Sequence, residues 1–142
     1  MDLVSVILRF RGVDILYLQS YYLSKVGLGV ENIKRLKATS RMILSFGLPF
    51  VLAADFNMRP EQLARSNFLS LVHGVIIQPS GDRGEPMSAT SIGGNLIDYI
   101  VGSATLAPAI SPVTICSSSW KTHPALQFLL ALYVPSCSAS RL

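Results

Sequence analysis

Charge is scarce in this sequence: Lys, Arg, Asp and Glu make up 14% of its 142 residues, against roughly a quarter in an ordinary soluble domain. Hydrophobic residues stand at 50%, which excludes an intrinsically disordered chain, since such chains lack the apolar surface to bury. A coiled coil or a solvated charged tail is excluded on the same ground. Long apolar runs are missing as well. Leu48–Ala54 and Ala125–Val134, the second interrupted by Gln127, fall short of the roughly 18–20 residues a membrane span requires, and both read as buried strands. Cysteine is limited to Cys116 and Cys137, with no CxxC or Cys/His spacing, so neither a disulfide framework nor a zinc site is expected. The apolar start, Leu3–Leu8, has no basic segment before it and meets Arg9 and Arg11 without a small-residue cleavage site, unlike a secretory signal. These absences point to an intracellular, reducing compartment, nucleus or cytoplasm.

What is present is enough for one domain with a real core. The formal net charge is +4 and the pI about 9.3, a mild excess compatible with a phosphate-bearing partner. Leu3–Phe10 and Val13–Tyr22 are extended runs separated by Arg11-Gly12, the pattern of an antiparallel hairpin. Val30–Phe46 places Val30, Ile33, Leu36, Ile43 and Leu44 at helical spacing, with Lys34, Arg35, Lys37 and Arg41 mostly between them. That predicts an amphipathic helix with one apolar stripe inward, stopped by Gly47 as a left-handed cap with Pro49 beyond. The basic residues read as its wet side, with a phosphate-attracting patch as the alternative.

Pro49–Ala54 is continuously apolar, as a strand covered on both faces should be. Arg59–Leu63 predicts a short helix with proline in its first turn. Leu71–Gln78, Asn95–Val101, Pro112–Cys116 and Ala125–Val134 predict further strands, with Pro79–Gly94 as a loop and residues 135–142 as a short polar tail. The order implies an α/β (α+β) domain, a mixed sheet with flanking helices.

Several polar residues need explaining. Asp55 and Asn57 sit where a buried strand emerges, a rigid placement that suits Mg²⁺, which takes one or two carboxylates and keeps waters. The plain alternative is a turn, since Asp and Asn both accept local backbone hydrogen bonds. Asp98 lies inside Leu96–Val101, where a buried carboxylate needs a compensating partner such as a histidine ring, or else faces solvent. His123 precedes the last predicted strand in Trp120-Lys121-Thr122-His123-Pro124; loop residues at strand ends often carry function, though a lone loop histidine can simply be solvated. His73 reads as a structural strand residue. Trp120 could stack on a sugar or base or plug the core.

In order, Pro49-Phe50-Val51-Leu52-Ala53-Ala54-Asp55-Phe56-Asn57, then Leu96-Ile97-Asp98-Tyr99-Ile100, then Trp120-Lys121-Thr122-His123-Pro124 resemble the endonuclease/exonuclease/phosphatase superfamily. The first is similar to that family's Gly-Asp-Phe-Asn. The resemblance covers residues 1–134 as the C-terminal half of the family's domain and implies a partial four-layer α/β sandwich, truncated or degenerate. It implies a Mg²⁺-dependent (or Mn²⁺-dependent) phosphoesterase, foremost an endonuclease acting on DNA or RNA phosphodiesters. In that reading Asp55 orients or deprotonates the attacking water, and Asn57 helps hold phosphate and metal. Asp98 aligns His123, which bonds a non-bridging phosphate oxygen. Tyr22, with Tyr21 equally placed, would touch the phosphate, and Trp120 and Lys121 would lie against substrate.

The family's pattern is not matched throughout. Ala54 stands for the family's glycine, Thr122 for its aspartate before the histidine, and Lys25 about where an asparagine follows the tyrosine. Its metal-binding glutamate belongs to the N-terminal half, and Glu31, the nearest acid, falls on the predicted helix. An incomplete metal site binding Mg²⁺ weakly is implied, and the alternative function is a catalytically inactive remnant serving as a scaffold or binding module. Half of a sandwich would also expose an apolar sheet face, so another polypeptide covering that face is expected. The mean hydropathy of +0.46 agrees with this.

Overall fold

The structure is a computed structural model and describes residues 3–116 and 125–132. Strands β1 (Leu3–Phe10) and β2 (Val13–Tyr21) form the antiparallel hairpin, turning at Gly12, whose φ of 92° is left-handed. Helix α1 (Val30–Phe46) then crosses over to β3 (Phe50–Asp55), which pairs parallel to β2. Gly47 ends α1 at φ 61°, its N–H donated to the Ile43 carbonyl. Two short helices follow, α2 (Pro60–Ala64) and α3 (Phe68–Val72), then β4 (Gly74–Ile77) and β5 (Asp98–Ser103). The main sheet runs β1-β2-β3-β5-β4, mixed because only the β2–β3 pair is parallel. Strands β6 (Thr114–Cys116) and β7 (Ala125–Gln127) make a separate two-stranded sheet.

Strand alternation assigns each face of the main sheet its own core. Leu16, Leu18, Phe50, Leu52, Tyr99 and Val101 pack with Leu36 and Ile43 of α1 and with Phe68 and Val72 of α3. The intervening residues Ile15, Val51 and Ile100 pack with Leu106, Ile110 and Val113, and against Leu126 and Leu130. Helices therefore cover one face and the β6–β7 layer part of the other. Among the described residues, no helix is long and apolar enough to cross a membrane.

Three local expectations are corrected. The buried face of α1 is Asn32, Leu36, Thr39, Ser40 and Ile43, whereas Val30 is 69% and Leu44 52% exposed. Polar groups hold the inward face because each has a partner there. Asn32 accepts from the Leu23 N–H and donates to the carbonyls of Leu23 and Gly27. Thr39 bonds the Tyr22 hydroxyl at 3.1 Å and donates to the Arg35 carbonyl. Asn32→Ala, which strands those backbone groups, is expected to cost about 2–3 kcal/mol, read from urea denaturation. Next, Leu71–Gln78 is not one strand. Leu71 and Val72 end α3, and His73 is its left-handed cap at φ 51° rather than a strand residue. Finally, Asp98 begins β5 instead of lying inside it, because Thr90 Oγ1 accepts the N–H groups of both Ile97 and Asp98, at 3.0 Å each.

Candidate active site

Strand β3 enters the site as Ala54-Asp55, flanked by β2 and β5. Tyr21 pairs with Asp55 across the parallel ladder, and Asp55 pairs with Asp98 across the antiparallel one. Successive side chains of a strand point to opposite faces. Ala54 and Tyr99 belong to the helix-side core, so Tyr21, Asp55 and Asp98 share the other face, at one end of the sheet. Residues 43 positions apart in sequence are thus direct neighbours. Asp98 is 6% exposed, whereas Asp55 is half-buried.

The loop leaving β3 is held from both sides. The Tyr22 N–H donates to the Asp55 carbonyl at 2.9 Å, and the Phe56 N–H to the Ile97 carbonyl at 2.8 Å. Asp55 Oδ1 accepts the Asn57 N–H at 3.0 Å, a local Asx turn. Asn57 adopts φ 48°, and its Nδ2 donates to the Tyr22 carbonyl at 2.8 Å, which fixes the amide and leaves Oδ1 as its acceptor atom. The turn reading of Asp55-Phe56-Asn57 is therefore met, and the turn orients the carboxylate.

Beneath this loop Phe56 lies between two aromatic rings. Its centroid is 5.2 Å from Tyr22 and 4.3 Å from Tyr99, both nearly parallel, and all three are fully buried. Tyr22, expected at the phosphate, is thus a core residue with its hydroxyl on Thr39. Tyr21 is the tyrosine on the Asp55 face, at 40% exposure. Burial pushes the Tyr22 and Tyr99 phenols up from the ordinary 10.0; for Tyr22, its hydrogen bond with Thr39 opposes the rise. In the unfolded chain both ionise near pH 10, while the folded chain keeps them neutral. Their contribution to stability is complete below pH 10 and is lost as pH rises above it. Urea midpoints are expected to stay level up to about pH 9.5 and then fall, with a shallower fall in Tyr22→Phe.

Three neighbours of the site carried no usable sequence signal. Thr90 sits in a Ser/Gly-rich loop yet anchors the start of β5. Arg59 reaches Asn95 Oδ1 through Nε and a terminal nitrogen, at 3.1 and 2.7 Å, tying the loop after Asn57 to the segment before β5. Tyr99 donates its hydroxyl to the Met58 carbonyl at 3.1 Å. Glu31 lies on the exposed side of α1, bonded to Lys34 at 2.8 Å, a contact that also lowers its carboxyl below the usual range. It adds nothing to the site. His123, Trp120 and Lys121 lie outside the described residues. Among the described residues, no three His, Cys, Asp or Glu side chains cluster as a metal set. The oxygens present, two carboxylates and an amide, suit a hard cation that keeps several waters.

No family model matches this sequence, and no curated protein does. Solved structures do. The endonuclease domain of TRAS1, a telomere-specific non-LTR retrotransposon, superposes with a TM-score of 0.66 at 15% identity, covering 92% of this chain and 64% of its own. An endonuclease/exonuclease/phosphatase family protein from Leptotrichia buccalis gives 0.59 at 17% identity, covering 90% and 53%. The 3'-5' exonuclease NExo from Neisseria meningitidis gives 0.57 at 12%, covering 92% and 71%. The chain thus spans between about half and seven-tenths of the length of these three structures. From the β2–α1–β3 crossover to the paired ends of β3 and β5, this chain has the endonuclease/exonuclease/phosphatase fold.

Proposed function

We propose that this chain is a nucleic-acid phosphodiesterase-type module, with its site at the sheet end where Asp55 and Asp98 meet. The register pairing of those two carboxylates on one face carries the reading. The solved structures sharing the fold include an endonuclease domain and an exonuclease, and the net charge of +4 suits a polyanion.

Asp55, aimed by its own Asx turn, orients or deprotonates the attacking water. Asp98 aligns His123, which hydrogen-bonds a non-bridging phosphate oxygen as charge develops. Tyr21 replaces Tyr22 as the tyrosine offered to the phosphate, and Trp120 and Lys121 are offered to the nucleotide. Mg²⁺ or Mn²⁺ would be held by Asp55 and Asn57, supplying positive charge against the phosphoryl oxygens. Incubation with supercoiled plasmid and Mg²⁺ tests this. Nicking that disappears in EDTA is expected. A folded chain that binds DNA without nicking it, over a full range of Mg²⁺ and Mn²⁺, would establish the alternative, a binding module without turnover.

A second expectation rests on β1. Val4, Val6 and Phe10 are 60, 46 and 44% exposed, on the face their partners Tyr17 and Val13 share, and β1 is an edge strand. Such a face favours association with another polypeptide. Sedimentation velocity should show concentration-dependent association, weakened in Val6→Lys. A monodisperse monomer at high concentration would refute it.

A further inference from the structure

On the opposite face of the sheet from Asp55 and Asp98, α1 and α3 border a cavity of about 260 Å³. Its apolar lining comes from Leu28, Ile33, Leu36, Phe68 and Leu71. Leu36 and Phe68 are buried core residues, while Ile33 and Leu71 remain 39 and 45% exposed, an apolar surface left to water. Ser40 also lines it, 3% exposed, with its hydroxyl donated to the Lys37 carbonyl at 2.9 Å. That polar group is already satisfied.

Ser66, its hydroxyl donated to the Leu63 carbonyl at 2.6 Å, and Asn67 line it as well, and two cations complete the lining, Lys37 from α1 and Arg65 from the end of α2. Among the described residues the sole ion pair is Lys34–Glu31, so neither cation is neutralised by a described carboxylate. Among the described residues, no acid lines the cavity. An inorganic phosphate would meet the two charges but leave the apolar lining wet, and a neutral apolar molecule would leave the charges unanswered. The volume lies just under the roughly 300–1,000 Å³ of drug-sized sites, so the occupant is small.

We propose that this cavity binds a free, short-chain aliphatic carboxylate. The chain lies over Leu36 and Phe68, and the carboxylate is held by Lys37 and Arg65. The site is independent of the phosphodiesterase reading, because the two lie on opposite faces of the sheet.

Calorimetric titration of the full chain with octanoate, octanol and octyltrimethylammonium, all below their micellar concentrations, tests it. Octanoate is expected to bind about tenfold or more tighter than octanol, the gain from charge-assisted hydrogen bonds, and the ammonium not to bind measurably. Exchanging both cations, Lys37→Gln with Arg65→Gln, should remove the octanoate advantage and leave octanol unchanged. Ser40→Leu, which fills the cavity, should abolish both. Lys37 and Arg65 are exposed, so the double variant folds and decides the matter even where Ser40→Leu does not. Equal affinity for octanoate and octanol, octanoate binding that survives the double variant, or no binding at all would overturn the proposal.

Discussion

Asp55→Ala is expected to lower Mg²⁺-dependent phosphodiester cleavage by about 10²- to 10⁴-fold, the range associated with a positioned acid–base group. The fold should survive, since Asp55 is the last residue of β3 and its main-chain bond to Tyr22 does not involve the side chain. What is lost is the carboxylate facing Asp98 and the acceptor of the Asn57 N–H. Asp55→Asn keeps the Asx acceptor but not the charge. It should therefore match Asp55→Ala in activity while matching the parent in thermal stability. Equal activity in Asp55→Asn and the parent would remove Asp55 from the chemistry. Rates from a fluorescent oligonucleotide, beside the melting curve of each variant, make the comparison.

Phe56→Ala is the substitution expected to damage the protein most. The ring is fully buried and stacked on both sides, by Tyr22 and Tyr99. Truncation removes the buried area and both stacking partners, for an expected loss of about 3–5 kcal/mol, a large share of the 5–15 kcal/mol of an ordinary domain. Phe56→Leu should recover a good part, having volume but no stacking. Function should follow, because Phe56 lies between Asp55 and Asn57: even where the chain remains folded, the carboxylate loses its mount. Urea denaturation of the three proteins gives the order parent, Leu, Ala. A Phe56→Ala chain within 1 kcal/mol of the parent would show that the aromatic stack does not hold the loop.

The elements legible in the sequence are those with local causes. The β1–β2 hairpin followed from Arg11-Gly12 between two apolar runs, and both ends of α1 and its glycine stop stand as expected. The inward face of α1 was not legible, because Asn32 and Thr39 are polar and their partners, Leu23 and Tyr22, come from another segment. Leu71 and Val72 read as strand because a short apolar run has the same composition in either state; the left-handed His73 divides helix from strand. For the site, the candidates Asp55 and Asn57 were visible as polar residues where a buried strand emerges, and Asp98 as an acid inside an apolar run. Their meeting was not, because register across β3 and β5 is a long-range property. The same holds for the tyrosines. A one-residue step in β2 exchanges the faces, and only the pairing of Tyr21 with Asp55 decides which ring lies on the site face.

The central claim is that the ends of β2, β3 and β5 form one oxygen-rich pocket for a divalent cation and a phosphate. Adding substoichiometric Mn²⁺ to the ¹⁵N-labelled chain and recording amide broadening tests it most directly, since paramagnetic relaxation falls steeply with distance from the ion. The account predicts broadening centred on Tyr21, Asp55, Asn57, Asp98 and His123, reversed by excess Mg²⁺ and absent in Asp55→Ala. Broadening centred on other acids, such as Glu31 or Glu85, with the Asp55 and Asp98 amides untouched, would contradict it.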